Sequence, residues 1–350
     1  MNMWQGSVPN CSVRSRKWKE VVGVNRWRVV VVVLAGLLAA TTLTSSGVPA
    51  AEKKELLFNI ERPQAIKTTF FKMTKILQEK GYKVDISHAE AAGTYIQPVL
   101  TGDAQIGGTD LDEVILAVAQ GGNVKAFMTN SVKVDYVLVA RPGIQSVKDL
   151  VGKRIGMSGP AGFDAMLGRL ALKRAGYDPR KSVRWTRIGG SGARAVALDA
   201  GRIDAAIIFY SSWYQLRDKG AKLVKVADMA ELAPDVLKGV YFARTDWLQA
   251  NPGTVEDIIR AQLEANSWFH ENREGWIKLA MEFVPGSTRG AVERLYDDLK
   301  AIDMFPLDGG MTEDGAKATV ELMVDAEQLK EPISVGRFLE TQYLRKVLGK

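Results

Sequence analysis

From residue 55 onward the spacing of apolar positions along this chain switches back and forth between two periods. Residues 55–60 form a short apolar run, and Ile66, Phe70, Met73 and Leu77 then fall on one helical face that stops at Gly81. The same reading predicts a strand at 84–87, a short helix at 95–100, a strand at 104–107, a helix at 111–120 and a strand at 124–129. Strands separated by helices of this length predict parallel pairing through crossover connections.

The segment Asp135-Tyr-Val-Leu-Val-Ala-Arg141 opens a second alternating unit. A short helix near 147–150 runs into a strand, followed by a helix at 163–175, a strand at 183–188, a helix at 193–200 and strands at 203–210 and 222–227. Val240-Tyr-Phe-Ala-Arg244 echoes the earlier extended segment, and beyond it the pattern is helical, with Val255, Ile258, Ile259 and Leu263 on one face. The expectation is an α/β protein of two lobes joined by two extended crossings. Lobe 1 takes 52–138 and 243–350, with the C-terminal helices returning to it, and lobe 2 takes 139–242. Such a topology leaves a cleft between the lobes and a hinge beneath it.

The first 51 residues read differently. Arg14, Arg16, Lys17, Lys19, Arg26 and Arg28 precede the apolar run 29–40, and Gly47-Val-Pro-Ala-Ala51 supplies small residues of the kind a signal peptidase accepts. The apolar run stops near Leu43, short of the ~20 residues a spanning helix needs, so a Sec-type secretory signal is expected and an uncleaved anchor is the alternative. No paired arginines support the twin-arginine route, and Cys11 lies upstream of the apolar run, where it cannot be a lipidated cleavage-site residue. The segment also carries most of the charge imbalance: it holds six of the 47 Lys and Arg and one of the 40 Asp and Glu, leaving 41 against 39 in the body. That balance, with basic residues scattered and not interleaved with aromatics, gives no reason to expect nucleic acid as a partner. The body has no cysteine and only His88 and His270, so it predicts neither a disulfide framework nor a metal-ligand cluster, and it calls for no cofactor.

Three stretches carry a family resemblance: Ser146-Val-Lys-Asp-Leu-Val-Gly-Lys-Arg-Ile-Gly-Met-Ser-Gly-Pro160, Leu172-Lys-Arg-Ala-Gly-Tyr-Asp-Pro179, and Gly189-Gly-Ser-Gly-Ala-Arg194 with Ala197-Leu-Asp-Ala-Gly-Arg-Ile-Asp-Ala205. Across roughly 55–285 the chain resembles the sulfonate, nitrate and taurine solute-binding proteins of ABC importers, the SsuA/THI5-like family that also includes pyrimidine-synthesis proteins. The resemblance implies a type II periplasmic-binding-protein fold, a periplasmic location, a small-molecule ligand, delivery to an inner-membrane ABC permease and a monomeric state.

Physics places a site independently. In open α/β sheets ligands sit outside the carboxyl ends of strands, where helix-start N–H groups are unpaired. Those places here are Arg62 and Gln64, then Gly108, Thr109 and Asp110, then Ser158, Gly159, Gly162, Phe163 and Asp164, then Gly190 and Ser191, and finally Phe209 and Tyr210. Glycines at 159 and 162 let backbone approach a ligand, and the helix start at 163 suits a carboxylate or sulfonate. Ser158 and Thr109 are alternatively plain helix caps. Asp110 repels an anion unless a cation compensates; it can instead hold a ligand amino group. Gly189-Gly-Ser-Gly192 lacks the Lys-Ser/Thr ending of a nucleotide P-loop. Trp213 reads as packing.

Catalysis finds few parts in this sequence. His88 follows a strand, where a capping or surface role is expected, and His270 lies among polar helix positions and reads as solvated. A THI5-like pyrimidine synthase is the alternative enzyme class, but the cysteine-rich motif of those proteins has no counterpart here. A ligand-sensing partner of a membrane receptor is the other. The expected function is capture of a small organic anion, a sulfonate, taurine-like or carboxylate compound or nitrate, by hinge closure, without chemistry on it.

Overall fold

The computed structural model describes residues 54–61, 64–88, 95–283 and 287–350. The expected leader lies outside them, and among the described residues no helix is long and apolar enough to cross a membrane. The chain first lays down β1 (Glu55–Ile60), α1 (Thr68–Glu79), β2 (Lys83–His88), α2 (Gln97–Thr101), β3 (Ile106–Asp110), α3 (Leu111–Ala119) and β4 (Val124–Ser131). It continues with β5 (Tyr136–Ala140), β6 (Arg154–Met157), α4 (Phe163–Arg174), β7 (Arg184–Arg187), α5 (Ser191–Asp199), β8 (Ala205–Phe209), α6 (Tyr210–Asp218), β9 (Val224–Asp228) and α7 (Met229–Leu232). After β10 (Gly239–Arg244) the described residues form the helices α8 (Thr245–Ala250), α9 (Pro252–Glu271), α10 (Arg273–Phe283), α11 (Arg289–Ala301), α12 (Glu313–Asp325) and α13 (Gln342–Val347).

The strands form two five-stranded sheets, ordered β2-β1-β3-β10-β4 and β7-β6-β8-β5-β9, so the molecule is an α/β protein of two lobes. Pairing is parallel where successive strands of one lobe are joined by helices, as in β1 with β2 and β6 with β7. It is not parallel throughout, as the spacing alone predicts. β10 runs antiparallel to both β3 and β4, and β5 antiparallel to both β8 and β9. These two strands are the ones that enter from the other lobe, so no crossover helix dictates their direction.

The sheet changes fall between Ser131 and Tyr136 and between Asp228 and Gly239. The lobe limits expected at 138/139 and 242/243 therefore lie inside β5 and β10, because apolar patterning marks a strand but not the sheet it joins. β3 also sits two to three residues later than the spacing suggests. Gly107 is inside it because the ring of Phe242 on β10 occupies the place a Cβ would take.

The C-terminal helices do not return to the first lobe alone. α12 packs on α3 and also on α4, while α10 and α11 wedge between α1 and the lobe 2 helix α6. Tyr214 donates to Asp298, Arg294 pairs with Asp218, and Thr288, which caps α11, also donates to Asp218. A separate apolar cluster fills that seam, joining Tyr210, Trp213 and Tyr214 to Phe269, Trp276 and Tyr296. Their helical spacing showed an apolar face but not which lobe would cover it. The tail after α12 covers a sheet edge: Ala126 of β4 donates to the Phe338 carbonyl and accepts from Glu340.

Lobe 2 is laced by Arg154, whose Nε and Nη2 both reach the Asp204 carboxylate, at 3.0 and 2.8 Å. Hydrogen bonds from Arg154 lower the Asp204 pKa to about 2. A depressed folded value means stability that is present above the ordinary carboxylate pKa, about 4, and is lost as pH falls toward the folded value. Asp204→Asn should flatten the acid limb of an unfolding-versus-pH curve between about pH 4 and pH 2, by roughly 1 kcal/mol or less because solvent screens the pair. A limb of unchanged slope would show that the pair contributes nothing.

Candidate functional site at the strand ends

The two lobes meet at Lys238, the last residue before β10. Its side chain is buried, 3.5 Å from the Asp110 carboxylate at the end of β3 and 3.0 Å from Asp135 on the other crossing. Its ammonium also lies 5.2 Å from the Tyr136 ring and 5.3 Å from the Phe209 ring. Burial alone would push this ammonium down, but Asp110 and Asp135 hold it well above the ordinary lysine value. One side chain thus ties both crossings and both lobes.

Around it stand the lining groups. Tyr136 and Phe209 approach to 4.4 Å between ring centres, and Phe163 at the start of α4 lies 6.1 Å from Tyr136, giving lobe 2 an aromatic wall. On the lobe 1 side, Tyr95 is held by Asn59, which donates to its carbonyl at 3.0 Å. The Tyr95 phenol is pushed up by burial and by the charges of Glu61, Glu113 and Asp110. Asp112, in the first turn of α3, is buried with its Oδ1 unpaired among the described residues; burial, then Asp110 and Glu113, push its carboxyl well up.

The residues expected from sequence are distributed across this wall and behind it. Arg62 lies outside the described residues. Gln64 precedes a short 3-10 turn and accepts from the Lys67 backbone. Gly108 is buried, with Ile60 and the Tyr241 ring where a side chain would go. Thr109 is fully buried and its hydroxyl donates to Glu113 at 2.8 Å, so it neither caps α3 nor faces a ligand. Asp110 is the N-cap residue of α3, and its compensating cation is Lys238.

In lobe 2, Asp164 accepts from both the backbone and the hydroxyl of Ser158, and lies 3.6 Å from the buried Arg194 guanidinium. The start of α4 is therefore already answered by its own carboxylate. Gly162 has a local reason to be glycine: a Cβ there would strike the Ser158 hydroxyl. Gly159 and Gly190 face open space. Tyr210 belongs to the core, its ring buried in the α6 seam and its hydroxyl donating to Asp228 at 2.6 Å.

The starts of α5 and α6 are different, since neither has an acidic residue in its first turn. They converge: Ser191 Oγ accepts from the Phe209 N–H at 2.9 Å and lies 2.9 Å from Ser212 Oγ. Two helix N-termini aimed at one corner, beside Phe209, make the most anion-friendly place in the strand-end cleft.

Lys238, Asp135, Tyr136, Tyr95, Glu61, Glu113 and Arg194 escape a sequence reading that looks only after strands. A signal for the first two was present: one extended crossing segment opens on Asp135, and Lys238 stands two residues before the other, which opens on Val240.

Comparison with known proteins follows the same lines. A Brucella abortus protein named only as a binding protein is 28% identical over 164 residues, 47% of this chain and 50% of its own. The chain thus spans about half the length of the curated relatives it matches. Among solved structures, the ligand-binding component of an ABC-type import system from Staphylococcus aureus superposes with TM-score 0.71 at 12% identity, over 84% of this chain and 99% of its own. The alkanesulfonate-binding protein SsuA from Xanthomonas axonopodis pv. citri, bound to MOPS, gives TM-score 0.65 at 19% identity, over 83% of this chain and all of its own. A desulfurization enzyme shares the fold at TM-score 0.63. These likenesses establish the periplasmic-binding-protein fold. The family model described as NMT1/THI5 like matches residues 77–275, more than half of the chain, which therefore belongs to the NMT1/THI5-like family.

Proposed function

We propose that this protein is an exported solute-binding protein that captures a small organic anion between its lobes and presents it to an ABC permease. The observation that carries the reading is the convergence of the α5 and α6 starts beside an aromatic wall, directly above a buried lysine that ties the two crossings. The anionic group sits at the Gly190–Ser191 corner and the body of the ligand lies on Phe209, the partly exposed ring of the three, with Tyr136 and Phe163 buried behind it. On the opposite wall Asp110 is answered by Lys238 and Glu61 by Lys67, so the preference is set by the aromatic side, which favours an organic anion over nitrate. The import-system and alkanesulfonate-binding names of structural neighbours support the class.

Ligand favours the closed form by its differential affinity for closed over open. Two strand-end hydroxyls bond carboxylates, Thr109 to Glu113 and Ser158 to Asp164, but Thr109 is fully buried and Asp164 is buried against Arg194 at the start of α4. His88 is exposed and lies 3.1 Å from the Glu61 carbonyl, and His270 lies 2.9 Å from that of Phe305. We therefore infer binding without conversion.

A thermal-shift panel of aminosulfonates, alkanesulfonates, amino acids, nitrate and pyrimidines tests the reading. Ligand at a hundred times its dissociation constant adds about 2.7 kcal/mol of stability. Phe209→Leu, which keeps apolar volume but loses the ring facing Tyr136 and Lys238, should weaken the responding ligand about 5- to 10-fold. Unchanged affinity in this variant would move the ligand off the aromatic wall, and silence across the panel from folded protein would reject solute capture.

A further inference from the structure

A second cavity of about 790 Å³ lies away from the strand-end corner, between α3, α4, β7 and the turn after α12. Its apolar lining includes Leu116, Met157 and Trp185. None of the residues expected from sequence to touch ligand lines it. It is also a seam between lobes, since α3 belongs to the first sheet's side and α4 and β7 to the second's.

Its polar groups are unevenly satisfied. Arg169 is half-buried, and its only hydrogen bonds among the described residues run from Nη1 and Nη2 to the Pro160 carbonyl. No carboxylate pairs with it there, and three of its five N–H groups remain over. Gln328 donates from Nε2 to the next carbonyl, that of Ala161, at 2.8 Å, while its buried Oε1 has no partner among the described residues. Adjacent carbonyls thus set a guanidinium with spare donors beside an amide with a spare acceptor.

Three carboxylates also line the cavity. Asp178 lies 3.6 Å from Lys181, and Glu327 pairs with Arg180. Asp325 has no ion pair among the described residues, although its backbone carbonyl accepts from Lys173, whose ammonium stands in the same cavity. The charge left without a carboxylate partner is then positive, Arg169 and Lys173 against Asp325. Burial lowers the Arg169 pKa, and the nearby Asp164 only partly offsets it.

We propose that this cavity is a second small-molecule site, distinct from the strand-end cleft, for a planar organic anion that also carries a hydrogen-bond donor. A carboxylate or sulfonate pairs with Arg169, a hydroxyl or amino group donates to Gln328 Oε1, and the ring lies along Trp185 and Met157. Because the cavity is walled by both lobes and by the back of the Ser158–Asp164 loop, occupancy would favour the lobe arrangement in which these walls stand together.

Isothermal titration of the protein with 4-hydroxybenzoate, benzoate and 4-hydroxybenzamide tests this, with Trp185 fluorescence as a second readout. The expected order is 4-hydroxybenzoate first, with either single-function analogue about 10-fold weaker, the factor that one charge-assisted or neutral hydrogen bond commands. Arg169→Gln should remove binding of the two anions, and Gln328→Leu should abolish only the preference for the hydroxylated one. Phe209→Leu, which alters the strand-end cleft, should leave all three unchanged. Equal binding by Arg169→Gln, or no heat at millimolar ligand, would overturn the second site. Weakening by Phe209→Leu with Arg169→Gln unaffected would place the anion in the strand-end cleft, leaving solute capture standing and this site refuted.

Discussion

Replacing Lys238 by methionine will cost about 3–5 kcal/mol in urea unfolding at neutral pH, a large share of the 5–15 kcal/mol that a typical domain has. The loss comes less from the ion pairs themselves than from what stays behind. Asp110 and Asp135 would be left facing each other where the crossings meet, with Asp135 almost fully buried and neither in another ion pair among the described residues. A buried pair replaced as a whole is often neutral, whereas half of one is strongly destabilising. Adding Asp110→Asn and Asp135→Asn to Lys238→Met should therefore recover more than half of the lost stability. The raised lysine value also sets a pH signature. The contribution is fully present below the ordinary lysine pKa and disappears only in strongly alkaline solution, as pH rises through the folded value. A Lys238→Met protein within about 1 kcal/mol of the parent would show that packing of Tyr136 and Phe209, not charge, holds the crossings together.

Trp276→Ala is expected to be of similar size, about 3–5 kcal/mol, through the cavity it opens. Trp276 is fully buried in α10, with ring centres 5.7 Å from Phe269 and 5.5 Å from Tyr296. This cluster joins α9, α10 and α11 to α6, so its loss should loosen the contact between the C-terminal helices and lobe 2. Hydrogen exchange should accelerate first in α10, α11 and α6, ahead of the strands of either sheet. The indole N–H has no partner among the described residues. Trp276→Phe therefore sacrifices only volume and should cost about 1 kcal/mol. Uniform acceleration over the whole chain in the alanine variant would mean that the seam is not a separate cooperative unit.

Much of the architecture was legible in local pattern. β1 spans Glu55–Ile60 as the apolar run predicts, and α4 begins at Phe163 as expected. Period 2 and period 3.6 are properties of short windows, and turn residues such as Gly81 end them in place. The two extended crossings were also visible, as the echo of Asp135–Arg141 in Val240–Arg244. Strand direction at β5 and β10 was not, because both strands pair with neighbours far away in sequence and no local preference separates parallel from antiparallel.

The site divides along the same line. Strand-end positions are sequence features, so Asp110, Asp164, Gly190, Ser191 and Phe209 could be named before any fold was known. Which of them offer a free group depends on partners brought in by folding. Thr109 spends its hydroxyl on Glu113, Ser158 bonds Asp164, and Tyr210 turns into the α6 seam to reach Asp228. Sequence by itself determined the alternation of strands and helices, the two-lobe division and the family, since these rest on local periodicity and on residue runs. Only the tertiary structure decided that Lys238 ties the two crossings, that α10 and α11 bridge the lobes, and that Arg169 and Gln328 line a cavity between α3 and α4. Each of those depends on groups far apart in sequence, such as Lys238 and Asp135, Tyr214 and Asp298, or Gln328 and Ala161, being brought together by folding, and a charge is set by what then stands beside it.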